Sequence, residues 1–141
     1  MTRSFLDTNV LVYLYDDAEP EKKARALELF EEETGAGRAV LSTQVLQEFY
    51  VNVTRKLDNP LSPERAGARV RDLCQLRLVR VDAPIILSAI ARAQSQSFSF
   101  WDALILESAI STGADRLFTE DLQDGQTIDG LRIENPFSSG S

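Results

Sequence analysis

Histidine is missing altogether from the 141 residues, and cysteine occurs once, as Cys74. Without histidine there is no imidazole general base, no Ser-His-Asp triad and no His-ligated metal. A single thiol excludes an intrachain disulfide and a Cys-cluster zinc site. Its place in the apolar-periodic run Val70, Leu73, Cys74 predicts a buried small hydrophobe. No stretch approaches the ~20 apolar residues of a membrane span, and MTRSFLD reaches an acid at Asp7, too early for the apolar core of a signal peptide. A soluble, cytoplasmic protein without membrane contact is the expectation. Also absent are a Gly-x-x-x-x-Gly-Lys-Ser/Thr run and a glycine-rich dinucleotide fingerprint behind the first apolar segment, which removes two large nucleotide-binding classes. Chemistry in this chain must rest on carboxylates, hydroxyls, Lys and Arg, or a bound hard cation.

What is present is ordinary in amount and informative in order. The 43% hydrophobic and 26% charged fractions are those of a globular protein, and the length suits one domain of ~100–150 residues. Residues 1–137 are read as that domain and 138–141 as a flexible tail. Short apolar strands are predicted at 3–6, 39–41, 78–81, 116–118 and 131–133. Between them lie helices at Val10–Tyr15, Glu21–Glu33 (with Ala24, Ala26, Leu27 and Phe30 as its apolar face), and from Ser42 through Val45, Leu46, Phe49, Val53 and Leu57. Others open at Pro63 and run to about Gln75, pass through Ile85, Ile86, Ala89 and Ala93, and span Trp101–Ser111. The segment Asp121–Gly130 reads as a loop. Strands alternating with helices predict an α/β fold, a parallel four- to five-stranded sheet covered on both faces.

The acids fall at particular places in that pattern. Asp7 directly follows the first strand and Asp121 comes three residues after Phe118 of the fourth. Glu48 lies in the second turn of the helix behind the second strand, and Asp102 in the first turn of its own helix. In an open parallel sheet the ligand crevice lies beyond the carboxyl ends of the strands, so four carboxylates from four segments can converge there. Such a cluster repels itself unless a cation neutralises it. Mg²⁺ and Mn²⁺ prefer oxygen ligands, retain waters and suit phosphate substrates, and such a site can generate hydroxide and stabilise an in-line phosphoryl displacement. Each acid has an ordinary role as well. On that alternative reading Asp7 would be a helix N-cap, Ser99 and Asp102 a capping box, Asp121 a complement to a helix dipole after Thr119, and Glu48 a solvated helix-face residue.

Fifteen Lys and Arg against 22 Asp and Glu leave a net charge of −7, which argues against non-specific binding to bulk nucleic acid. The charge is unevenly spread. From Arg55 to Arg80 seven basic residues, among them Arg55, Lys56, Arg65 and Arg69, face three acids, whereas from Phe100 to Asn135 eight acids face Arg116 and Arg132. A basic helical pair beside an acidic crevice suits an enzyme that holds a polyanion and cuts it. Trp101, Tyr13, Tyr15 and Tyr50 form no stacking array in the sequence and are assigned to core or interface.

Four segments together resemble a known family. Phe5-Leu6-Asp7-Thr8-Asn9-Val10-Leu11, Ser42-Thr43-Gln44-Val45-Leu46-Gln47-Glu48-Phe49, Ser99-Phe100-Trp101-Asp102-Ala103-Leu104-Ile105 and Leu117-Phe118-Thr119-Glu120-Asp121-Leu122-Gln123-Asp124-Gly125 are similar, in order, to the motifs of PIN domains, most of all to the small VapC-like toxins. The resemblance implies a three-layer α/β/α sandwich and a Mg²⁺- or Mn²⁺-dependent endoribonuclease that leaves a 5′-phosphate and a 3′-hydroxyl. It matches Asp7, Glu48, Asp102 and Asp121 to the four acidic positions that hold one or two ions. Asn9 matches a polar neighbour, Thr119 a supporting hydroxyl, and Asp124 an accessory acid. It also implies an antitoxin partner and a homodimer, for which Phe49, Tyr50 and Trp101 are the apolar residues in excess of one core. Arg55, Lys56, Arg65 and Arg69 are candidate contacts to the RNA backbone. The rivals are a non-catalytic Mg²⁺-binding signalling module and a PIN-fold nuclease acting on DNA. The former needs a lysine after a late strand, and the chain has only Lys22, Lys23 and Lys56.

Overall fold

In the computed structural model, which describes residues 2–138, a six-stranded sheet has the order β3-β2-β1-β4-β6-β5. The strands are β1 (Ser4–Leu6), β2 (Ala39–Ser42), β3 (Arg77–Val79), β4 (Arg116–Phe118), β5 (Thr127–Ile128) and β6 (Leu131–Glu134). All neighbouring pairs are parallel except β5 with β6. Six helices complete a three-layer α/β/α sandwich: α1 (Thr8–Tyr13), α2 (Pro20–Gly35), α3 (Thr43–Arg55), α4 (Pro63–Leu73), α5 (Ala83–Ser95) and α6 (Phe100–Ser111). The central strands β1 and β2 are buried along their whole length, the state of a parallel strand covered on both faces. Their side chains join Val10, Leu11, Val45, Phe49, Leu106 and Leu117 in the main core. Of the expected tail, positions 139–141 lie outside the described residues. Among the described residues no helix is long and apolar enough to cross a membrane.

The fold departs from the sequence expectations where local pattern and tertiary environment diverge. The loop Asp121–Gly130 contains β5, whose two residues pair with β6 across the turn Asp129-Gly130; both turn residues have positive φ (49° and 84°), the geometry of a tight hairpin. Cys74 is exposed, because α4 ends at Leu73 and Cys74 is its C-cap, beyond the buried stripe. The buried face of α2 is Ala26, Leu29 and Glu33, while Ala24 and Leu27 face solvent. An acid occupies that stripe because Arg38 and Arg116 neutralise it there, a partnership invisible to apolar periodicity. Phe49 is completely buried and takes no part in any surface.

Candidate active site

Strand order reverses at β1, which has β2 on one side and β4 on the other. At such a switch point a crevice opens at the carboxyl edge of an α/β sheet. The backbone N–H of Asp7 donates to the carbonyl of Phe118 (3.0 Å), tying together the ends of β1 and β4. The Asp7 carboxylate then accepts from the Thr8 N–H (2.7 Å) through Oδ1 and from the Thr119 hydroxyl (2.7 Å) through Oδ2. The capping role and the site position therefore coexist in one residue, which is only 6% exposed.

Glu48 reaches the same crevice from α3. Its Oε1 accepts from the Thr8 hydroxyl (2.8 Å) and its Oε2 from the Gln44 amide (3.3 Å). Asn9 on α1 donates to Asp121 (3.0 Å), and the Thr119 hydroxyl accepts from the Asp121 N–H (3.1 Å). Asp102 stands in the first turn of α6, its N–H held by the Ser99 cap (3.1 Å). Asp7, Glu48, Asp102 and Asp121 all line one open cleft of about 720 Å³, within the usual range for a ligand site. Among the described residues no helix follows Thr119, so Asp121 complements no helix dipole there. Its neighbour Glu120 is turned away to Lys22 (3.0 Å) and the Tyr13 hydroxyl.

Other expected contributors are dispersed. The Asp124 carboxylate accepts from the Asn135 N–H (2.8 Å), fastening the loop to the end of β6, and does not line the cleft. Lys56 does line it, whereas Arg55, Arg65 and Arg69 are exposed elsewhere and Arg69 pairs with Asp72. Thr8, Gln44 and Trp101 are cleft residues not singled out from the sequence as parts of the site. Thr8 adjoins Asp7, and Gln44 lies one helical turn before Glu48, so the i, i+4 rule places them on one face.

Electrostatics mark the cleft as a place for positive charge. Burial pushes the Asp7 carboxyl up to about 7, against the hydrogen bonds from Thr119 and Thr8, and the charges of Asp121 and Glu48 push the same way. Asp121 is also raised, first by desolvation and then by Asp102 and Glu120, with Asn9 opposing. Buried Oδ1 of Asn9 and Oε1 of Gln44 have no hydrogen-bond partner, a state that asks for an unmade contact. Among the described residues no three acids are already gathered at coordination distance. A hard cation that keeps several waters needs only one or two direct carboxylates, so this all-oxygen donor set fits Mg²⁺ or Mn²⁺.

A three-layer α/β domain with an acidic crevice at its carboxyl edge is the class these observations define. The PIN domain profile matches residues 4–123, and the chain belongs to that family of nucleases. Similar solved structures include a toxin–antitoxin complex from Klebsiella pneumoniae (20% identity, TM-score 0.68, covering 95% of this chain and 98% of that one). Others are DNA-bound VapBC from Salmonella typhimurium (24%, 0.64, 96% and 99%) and the sarcin-ricin loop cleaving toxin VapC20 from Mycobacterium tuberculosis (20%, 0.61, 81% and 86%). A search of the curated proteins finds no match.

Proposed function

We propose that the chain is a Mg²⁺- or Mn²⁺-dependent endoribonuclease and the toxin half of a toxin–antitoxin pair. The observation that carries the reading is the convergence of Asp7, Glu48, Asp102 and Asp121, from four separate segments, on one cleft without histidine. The four carboxylates, with Asn9 beside them, would hold the cation. When bound, it supplies Lewis-acid stabilisation of a phosphodiester and activation of water. Thr119 and Thr8 fix the rotamers of Asp7 and Glu48, so the site is preorganised by hydroxyls that need not touch substrate. Lys56, which lines the cleft, would contact the strand's phosphates. The test is cleavage of single-stranded RNA and DNA of one sequence with Mg²⁺, Mn²⁺ or EDTA. Metal-restored RNA cutting supports the reading, DNA cutting alone converts it to a DNA nuclease, and metal binding without cutting indicates a signalling module.

Two partners belong to the same reading. Likeness to toxin–antitoxin complexes supports a cognate antitoxin, and an apolar groove between α3 and α4, formed by Leu46, Tyr50, Val51 and Val70, supports a protein partner. Ile86, Leu87 and Ile90 of α5 are exposed, Leu87 by 66%, and support a homodimer. Light scattering should report twice the chain mass at micromolar concentration, and a Leu87→Asp variant should report a monomer; a monomeric parent protein would remove the dimer.

A further inference from the structure

We propose that the indole of Trp101 is the stacking platform for a nucleobase of the strand whose phosphate lies at the acidic cluster. The proposal rests on the nuclease reading and adds how the strand is held. Trp101 is 60% exposed, yet it lines the same cleft as Asp7, Glu48 and Asp121 and immediately precedes Asp102 in the first turn of α6. Ring and carboxylate are thus set by one capped turn. The indole meets Phe100 edge-to-face (centroids 5.1 Å apart, planes at 73°), and Phe100 packs on the small core around Ala89, Ala103 and Leu104. The Trp101 carbonyl accepts from the Gln44 amide (3.4 Å), which also donates to Glu48. The Gln44 bond thus holds the backbone and Phe100 the edge of the ring, while most of the residue's surface stays open.

Charge shows why such a platform is needed. Among the described residues five acids line the cleft and Lys56 is its only cation, so Coulomb attraction from the protein cannot hold a polyanion there by itself. A cation held by the acids would attract the phosphate beside it, and a contact insensitive to phosphate charge adds affinity for the rest of the strand. Aromatic stacking does so with any base, as in single-strand binding sites generally.

Trp101 is the only tryptophan, so its fluorescence reports on the site directly. In EDTA, a mixed-sequence single-stranded RNA oligonucleotide should quench it saturably, at concentrations matching binding followed by the anisotropy of a dye on the RNA. With metal restored, Trp101→Ala should raise KM for that RNA by about 10-fold or more with kcat changed less than ~3-fold, and Trp101→Phe should recover most of the loss. RNA binding that leaves the indole emission unchanged, or a Trp101→Ala variant with unchanged KM, overturns the platform while leaving the nuclease standing. Emission that follows protein concentration rather than RNA, with Trp101→Ala converting dimer to monomer, also overturns it and assigns the residue to a second copy of the chain. A parent protein that neither binds nor cuts RNA overturns both the platform and the ribonuclease reading.

Discussion

Asp7→Asn should lower RNA cleavage by at least ~10²-fold, the scale expected when one electrostatic contribution of ~3 kcal/mol to the transition state is lost, while making the metal-free protein more stable above neutral pH. Asn is nearly as good a helix cap as Asp, so a residue that only capped α1 would leave cleavage unchanged, whereas the stability change reports burial of the carboxyl in either role. The stability change has a definite sign. The Asp7 carboxyl stands at about 7 in the folded chain against 3.8 unfolded, chiefly because it is buried. Its stabilising contribution is complete below about pH 3.8 and is lost as pH rises through about 7, on the order of 4 kcal/mol at the upper limit. The Asn amide escapes that loss, less roughly 1 kcal/mol because the Thr119 hydroxyl must find another acceptor. Urea denaturation of both proteins in EDTA at pH 5 and pH 8 should therefore show the variant's advantage growing with pH. Added Mg²⁺ should raise the melting temperature of the parent protein more than that of the variant. Undiminished cleavage with unchanged Mg²⁺ affinity would remove Asp7 from the site.

Glu33→Ala should be strongly destabilising although it lies far from the cleft. Glu33 is 1% exposed at the end of α2, where Arg38 donates to both its oxygens (2.9 and 2.8 Å) and Arg116 to Oε1 (3.1 Å). Arg116 also donates to the Ser4 hydroxyl at the start of β1 (3.1 Å), so the network fastens α2, β1 and β4 at the amino edge of the sheet. Removing one member of a buried charge network leaves the others unpaired, typically at 3–5 kcal/mol. Both arginines reach solvent in part, which places the expectation near the lower figure, about 3 kcal/mol. The denaturation midpoint should fall at unchanged m-value, and residual RNA cleavage per folded molecule should match the parent protein because the cleft lies at the opposite edge. The pH signature is the reverse of that of Asp7. The Arg38 contact, with help from Ser4 and Arg116, holds Glu33 below its ordinary 4.5. Its contribution is therefore present above that value and lost as pH falls through the folded one. Acid titration should accordingly destabilise the parent protein more than Glu33→Ala; equal acid sensitivity would show that the network contributes little.

The local chemistry of the chain by itself determined the alternation of elements and the positions of the four acids. Leu6-Asp7-Thr8 reads as a buried strand meeting a helix cap and is one, and the Ser42 and Ser99 caps mark where α3 and α6 begin. Those signals act over a few residues, through φ/ψ preference and orphan backbone groups, so they survive in a sequence read in one dimension. Because parallel strands share one carboxyl edge, strand-end acids were bound to face the same side.

Tertiary structure decided which side chains meet. Asp124, two residues from Leu122 in the same loop as Asp121, is taken by the Asn135 N–H of the chain's return to β6. Glu120 is taken by Lys22 from α2, although its neighbour Asp121 faces the cleft. Of the basic stretch only Lys56 reaches the cleft, since α4 turns Arg65 and Arg69 outward. Burial of Glu33 and exposure of Trp101 both run against residue type, and each follows from what the packed helices bring beside it: two guanidinium groups in the first case, an open acidic cleft in the second. Such pairings depend on contacts between residues tens of positions apart, with energies set by burial and distance, and neither quantity exists until the sheet has assembled.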